Sequence, residues 1–412
     1  ISDHDAEKVS TELKTHGQSQ KSIDIALSQD QTKMILGISN QVYNTEVNDL
    51  LLTALGRALF KYTGNNIHHI LLEGHGREEI DSSMDITRTT GWFTTMFPVR
   101  LEISENTKKS IKNIKECLRS IPNKGIGYGS VIGYKRTTLR KISFNYLGRF
   151  DENYTELLWN IVGENSGIAV SPSNDDYFII NIIGMVINGI LNFSISARLS
   201  EESISVLANL FKECLEDVIK QTSNQLRSYL TVSDIDNIVT QEYLDKIQNS
   251  SESEGVYKAN SLQQGFIYHS LNQGDLDDAY HVHYLFEYSN RLDIEKLKAA
   301  WQFAQKKFSS LRLRFAWEEE LIQIVDKDGH LDWRYIEISN ISANEREIRI
   351  KEILHQDKQE VYDLEVGMLW RVYLIKQTEN SYTCLLSSHH AILDGWSNPI
   401  LLQYVHETYL KL

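Results

Sequence analysis

Between Tyr177 and Leu199, apolar and small residues alternate on either side of Asn188-Gly189. Asn-Gly accepts the positive φ angles of a tight two-residue turn, so the segment predicts a β-hairpin. A helix is expected directly after it, because Ile204, Leu207, Phe211, Cys214, Leu215 and Val218 recur at steps of three and four. Earlier, Leu50–Phe60 (LLLTALGRALF) reads as a buried helix that Asn48 or Asp49 is placed to cap. Ile70 to Leu72 is a short apolar strand that runs into a glycine cluster.

A chain of 412 residues is more than one core can comfortably fill, so two or three domains are expected. From Ser223 to Gly255 the sequence turns polar, Ser-rich and acidic, which predicts an inter-domain linker over 223–255 between domains at 1–222 and 256–412. In the second domain a strand is expected over Tyr280–Tyr288. A helix over Asp293–Phe308 follows, with Ile294, Leu297, Trp301, Ala304 and Phe308 on one face. Strands at Leu321–Val325 and Trp333–Ile338, a charged helix at Ala343–Gln359, and strands at Met368–Ile375 and Tyr382–Ser388 come next. The chain stops within an apolar helix, Ile400–Leu412, and reads as cut there.

The net charge of -14 repels phosphate backbones and anionic lipid, so neither nucleic acid nor membrane is an expected partner. No apolar run reaches the length of a membrane span, and ISDHDAEKVS is not a signal peptide. Cys117, Cys214 and Cys384 are widely spaced and odd in number. They read as buried thiols of a reducing compartment, and no Cys/His spacing suggests zinc.

The candidate chemistry lies in a few short stretches. In SSHHAILDGWS, His389 and His390 are adjacent at the end of a strand pattern, so at most one faces a given cleft. A neutral imidazole there can serve as a general base; two packed histidines capped by an aspartate is the alternative. In LLEGHGREE, Glu73 ends a strand beside Gly74-His75-Gly76, where backbone can approach a ligand. It is an acid/base candidate or a solvated loop carboxylate, and His75 reads as structural. Tyr146 and Asn145, in ISFNYLGRFD, can donate to an anion or simply pack. Gly125 to Gly129 lacks the spacing of a nucleotide loop and reads as a flexible bridge. Arg312 and Arg314 alternate with apolar residues, so one is expected to point inward and to need an acidic partner, for which Asp394 is a candidate.

Together these motifs resemble the condensation-type domains of non-ribosomal peptide synthetases. The first half carries YNTEVNDLLLTAL, LLEGHGREE, TTGWFTTMFP, IPNKGIGYG and FNYLGRFD in the order and spacing of the C-terminal lobe of an epimerization domain. The second half resembles the N-terminal lobe of a condensation domain, with NSLQQGFIYHSL, SLRLRF and an intact HHxxxDG motif in HHAILDGWS. The first 20 or so residues read as the tail of the preceding lobe.

The resemblance implies an α/β (α+β sandwich) fold of chloramphenicol-acetyltransferase-like lobes, here two half-domains joined by a linker. In the family two lobes form a V around a tunnel, which carrier-bound phosphopantetheine thioesters enter from both sides. It implies that His390 faces the tunnel as base or positioner, with His389 beside it, and that Asp394, next to Gly395, pairs with Arg312. It also implies that Glu73 acts with a histidine of another lobe, close to Tyr146 and Asn145. The expected activities are L-to-D epimerization of a carrier-bound thioester and its joining to the next aminoacyl thioester, each site half present. The implied partners are peptidyl carrier domains upstream and downstream and an adjacent adenylation domain. Phosphopantetheine is brought by those carriers, no metal is implied, and the expected location is cytoplasmic. A stand-alone acyltransferase of the same fold and a non-catalytic carrier-docking module are the alternatives. Lobe order argues against the first, and the intact histidine motif and Glu73 argue against the second.

Overall fold

The computed structural model describes residues 20–133, 140–150, 171, 178–273 and 280–412. The chain divides into two compact units, one ending at Ser228 and one running from Tyr229 to Leu412. The stretch before residue 20, expected as the tail of a preceding lobe, lies outside the described residues.

In the first unit the elements are β1 (Lys21–Ala26), α1 (Gln29–Leu36), α2 (Ile38–Gln41), α3 (Val47–Thr63), β2 (Ile67–Gly74), β3 (Thr95–Glu102), α4 (Thr107–Arg119), α5 (Tyr128–Ile132), β4 (Ile142–Arg149), β5 (Ile180–Ile187), β6 (Ile190–Ala197) and α6 (Glu201–Ser223). The strands form one sheet in the order β1-β6-β5-β4-β2-β3. The β2–β4 and β4–β5 pairs are parallel. The expected hairpin is β5–β6, with Asn188 at φ 52° and Gly189 at φ 73° in its turn. Alternate residues of β6 (Leu191, Phe193, Ile195 and Ala197) are buried, as period two requires. Helices α3 and α6 pack on each other with Leu50, Leu51, Phe211 and Leu215 fully buried. Neither Asn48 nor Asp49 is the cap of α3. Glu46 is, and Asp49 closes the capping box by accepting the Glu46 amide at 2.7 Å.

The second unit holds α7 (Gln241–Ser250), β7 (Ser253–Lys258), α8 (Ser261–Gln273), β8 (His281–Tyr288), α9 (Ile294–Lys307), β9 (Leu313–Ala316), β10 (Ile322–Asp326), β11 (Asp332–Glu337), α10 (Ala343–Gln359), β12 (Trp370–Thr378), β13 (Ser381–His389) and α11 (Ser397–Lys411). Three strands pair as β7-β10-β9 and four as β11-β12-β13-β8. A core of Trp301, Phe315, Trp370, Leu374 and Cys384 fills this unit. Cys214 and Cys384 are buried free thiols, as expected, whereas Cys117 is half-buried.

The expected linker over 223–255 is corrected by this unit. Residues from Tyr229 onward belong to its fold. Ile235, Val239, Tyr243, Leu244 and Ile247 pack on Val256, Ala316, Ile322 and Ile324 of the three-stranded sheet. The apolar residues of this stretch are few, but each is placed on the face that the sheet covers, so its polar composition disguises a folded segment.

Candidate functional site

The histidine pair sits where β13 turns toward α11. His389 is 7% exposed and its Nδ1 accepts the Ala391 amide at 3.1 Å. His390 is half-buried, and its Nδ1 lies 2.8 Å from the Leu393 carbonyl. A carbonyl only accepts, so Nδ1 carries a proton, and in the neutral tautomer of this ring the lone pair is on Nε2. Among the described residues nothing bonds that Nε2. Phe266 of α8 stacks on the His390 ring, with centroids 5.2 Å apart and planes 15° apart. From the same helix, Gln263 Nε2 donates to the Ala391 carbonyl at 3.1 Å. The turn is thus held from within and by α8, leaving one basic nitrogen open.

The expected Arg312–Asp394 pair does not form. Arg312 is buried, but its guanidinium reaches Glu254 Oε2 at 2.6 Å, the Lys327 carbonyl at 3.1 Å and the Asp326 carbonyl. The pairing of β7 with β10 brings Glu254 there, a long-range event that local spacing does not reveal. Arg314 is also buried and pairs with Asp326 at 2.9 Å. Asp394 is exposed and accepts the Ser397 amide at 2.8 Å and its hydroxyl at 2.7 Å, at the start of α11. Nothing in the structure explains glycine at 395.

These hydrogen bonds from Ser397 hold the Asp394 carboxyl below its ordinary value. Its contribution to stability is therefore present above the ordinary pKa of 3.8 and lost as pH falls through the lower folded value. Asp394→Ala is expected to lower the melting temperature slightly at pH 7, to converge with the parent in acid, and to keep its activity. Thermal melts across pH check this, and wild-type melting with no activity would assign Asp394 to the chemistry instead.

In the first unit, Glu73 is the penultimate residue of β2 and Asn145 lies beside it on the parallel strand β4. Asn145 Nδ2 donates to Glu73 Oε2 at 2.6 Å. Both line a cavity of about 600 Å³, together with Tyr146, Phe97, Arg119 and Lys124. Burial pushes the half-buried Glu73 carboxyl up from its ordinary 4.5. A carboxylic acid with a raised pKa beside an amide donor can both take and return a proton.

Gly74 lines the same cavity as Glu73, and both glycines of the cluster sit where neighbouring segments pack closely. Gly76 has φ 65°, and a Cβ there would stand 1.7 Å from the Phe93 carbonyl, so it permits close packing of two loops. A Cβ on Gly74 would meet Thr95 Oγ1 at 3.1 Å. His75 is exposed, accepts the Arg77 amide at Nδ1 and lines the same cavity as Glu73. The resemblance implies Asn145 near Glu73, and the structure joins the two by a hydrogen bond; the Phe266 stack, between separate elements, has no signal in the sequence. No helix among the described residues is long and apolar enough to cross a membrane.

A family model described as "Condensation domain" matches residues 6–238 and 253–412. Bacitracin synthase 3 of Bacillus licheniformis is 34% identical over 403 residues, covering 94% of this chain and 6% of its own length. Bacitracin synthase 1 of the same organism is 31% identical over 424 residues, covering 99% of this chain and 8% of its own. The chain thus spans a small part of these relatives. Among solved structures, the epimerization domain from the third module of tyrocidine synthetase B aligns at 32% identity and a TM-score of 0.46. That alignment covers 54% of this chain and 56% of that one. The chain belongs to the condensation-domain family of non-ribosomal peptide synthetases, and its mixed α/β units carry the chloramphenicol-acetyltransferase-like fold of that family.

Proposed function

We propose that this chain serves two consecutive steps of peptide assembly. The first unit acts in epimerization of a carrier-bound aminoacyl or peptidyl thioester. The second acts in joining the resulting D-configured donor to the next aminoacyl thioester. The reading is supported by one observation: each unit presents an ionisable side chain suited to proton transfer, a raised carboxyl lining a cavity and an imidazole whose Nδ1 faces the Leu393 carbonyl.

In epimerization, Glu73 exchanges the α-proton from one face, and a histidine of a lobe outside this unit serves the other. Tyr146 donates to the enolate oxygen as charge develops there. In condensation, the acceptor amine attacks the thioester carbonyl. The C–N bond forms, the C–S bond breaks, and His390 Nε2 takes the amine proton and returns it to the departing thiolate. Carrier domains on both sides present the two thioesters, and holding both ends together supplies much of the rate. The cytoplasm is the proposed location.

The test is reconstitution of the intact synthetase with an L-configured donor loaded on its carrier. Hydrolysis and chiral chromatography of the peptide are expected to give the D-residue at the donor position. An L-residue there rejects the epimerization step, and absence of peptide rejects condensation.

A further inference from the structure

The second unit contains a buried polar cluster that the proposed chemistry does not use. Asp357, on α10, is 1% exposed and accepts five hydrogen bonds. His281 and His283 each place Nε2 2.8 Å from its Oδ2, and the Ser387 hydroxyl donates to the same oxygen. Arg371 and Tyr373 each donate to Oδ1 at 2.8 Å. Register explains the convergence: His283 pairs with Ser387 across β8–β13, and Ser387 pairs with Arg371 across β13–β12. Directly paired residues share a face, as do His281 and His283, two apart on one strand. Burial alone would raise the Asp357 carboxyl. The hydrogen bonds from His281, His283, Ser387 and Arg371 hold it well below the usual carboxylate range, so it stays an anion.

His389 lies two residues beyond Ser387 on the same strand face, and Tyr362 joins the two. Ser387 gives its proton to Asp357, so the Tyr362 hydroxyl, 2.8 Å from Ser387 Oγ, donates to it. The Arg371 guanidinium covers the Tyr362 ring at 4.1 Å. That ring lies 4.8 Å from the His281 ring and 6.4 Å, edge on, from the His389 ring. The ligand atoms of His281, His283 and Asp357 fall within 4.8 Å of one another, a spacing that a divalent ion can use. Here the carboxylate is already saturated by five donors, and one is a guanidinium that an added cation would oppose.

We propose that Asp357, Ser387 and Tyr362 are positioning residues for the histidine turn. They fix the wall against which His389 packs, and through the His389–Ala391 turn they set the direction of His390 Nε2.

Asp357→Asn is the direct variant, but it disturbs the interior. Tyr362→Phe keeps the ring and removes only the hydroxyl. The first measurement does not depend on the condensation reading. Diethyl pyrocarbonate is applied to the full chain, and carbethoxylation of each histidine is read by mass spectrometry. The second rests on that reading and measures amide formation by the intact synthetase. In Tyr362→Phe, His389 is expected to be modified about tenfold faster, with melting lowered no more than one lost hydrogen bond accounts for, and kcat to fall about tenfold with both KM values unchanged. Wild-type His389 reactivity with wild-type kcat would overturn the proposal, as would losses that merely track melting. Uptake of one equivalent of zinc, lost in His283→Ala, would overturn it in favour of a metal centre. If the parent synthetase forms no amide, the condensation reading fails, and the carbethoxylation result alone decides the positioning claim.

Discussion

His390→Ala in the intact synthetase is expected to stop amide formation, by roughly 100- to 10,000-fold in rate, with carrier loading unchanged. The imidazole donates Nδ1–H to the Leu393 carbonyl and presents Nε2 outward, so its loss removes the proton acceptor at the turn. It is half-buried, with one side-chain hydrogen bond and the Phe266 stack to lose, so melting should fall modestly and by less than activity. His389→Ala is expected to behave in the opposite way. That ring is buried and accepts the Ala391 amide, and deletion leaves the amide without its partner at a cost of about 1–3 kcal/mol. Single-turnover amide formation paired with thermal melts separates the two variants. Equal activity losses at equal melting temperatures would reject the assignment of the base to His390.

Glu73→Gln is expected to abolish appearance of the D-configured residue, slowing it about 100-fold or more, while the upstream amino acid still loads. Glutamine preserves shape and can still meet Asn145, so the loss isolates the ionisable proton. Stability gives an independent check with a definite sign. Burial raises the folded pKa of Glu73 above 4.5, so the folded state binds the proton more tightly than the unfolded chain. The parent therefore loses stability as pH climbs from about 4.5 through the raised value. A glutamine side chain does not titrate and has no such loss, so the variant should melt at or above the parent at pH 7 and match it near pH 4. A wild-type D/L ratio reached at the wild-type rate would remove Glu73 from the mechanism.

What the sequence reveals here depends on whether the determining contact is local. The β5–β6 hairpin was legible because Asn188 and Gly189 supply both positive φ angles within the turn. Helix α6 was legible because its apolar positions recur at a single period over a long span. The histidine motif was legible as a string, and Glu73 as a carboxylate at a strand end. Residue patterns alone do not reveal the partners of these groups: the resemblance implies Asn145 near Glu73, and parallel pairing of β2 with β4, far apart along the chain, is what brings it there. Arg312 was assigned the wrong acid for the same reason. Asp357 lies on a helix crowded with charge, where Ile353 and Asp357 are the buried positions, and nothing in its neighbours marks it as interior. A signal did exist on the other side: two histidines spaced by two in a strand must face one way, and so must Ser387 and His389.

The two arginines on either side of Leu313 bear on how such proteins can be recombined. Arg312 reaches back to Glu254, while Arg314 reaches the Ile247 carbonyl at 3.3 Å and the Ser251 hydroxyl at 3.2 Å. A chimera whose seam falls at Val256, where the polar stretch ends, would discard all three acceptors. It would leave Arg312 with carbonyl acceptors but no carboxylate, leave Arg314 with Asp326 alone, and uncover the sheet face of Ile322 and Ile324. A seam between Ser228 and Tyr229 transplants the arginines together with everything they hold, which makes the low-complexity look of the intervening residues a poor guide for anyone exchanging modules.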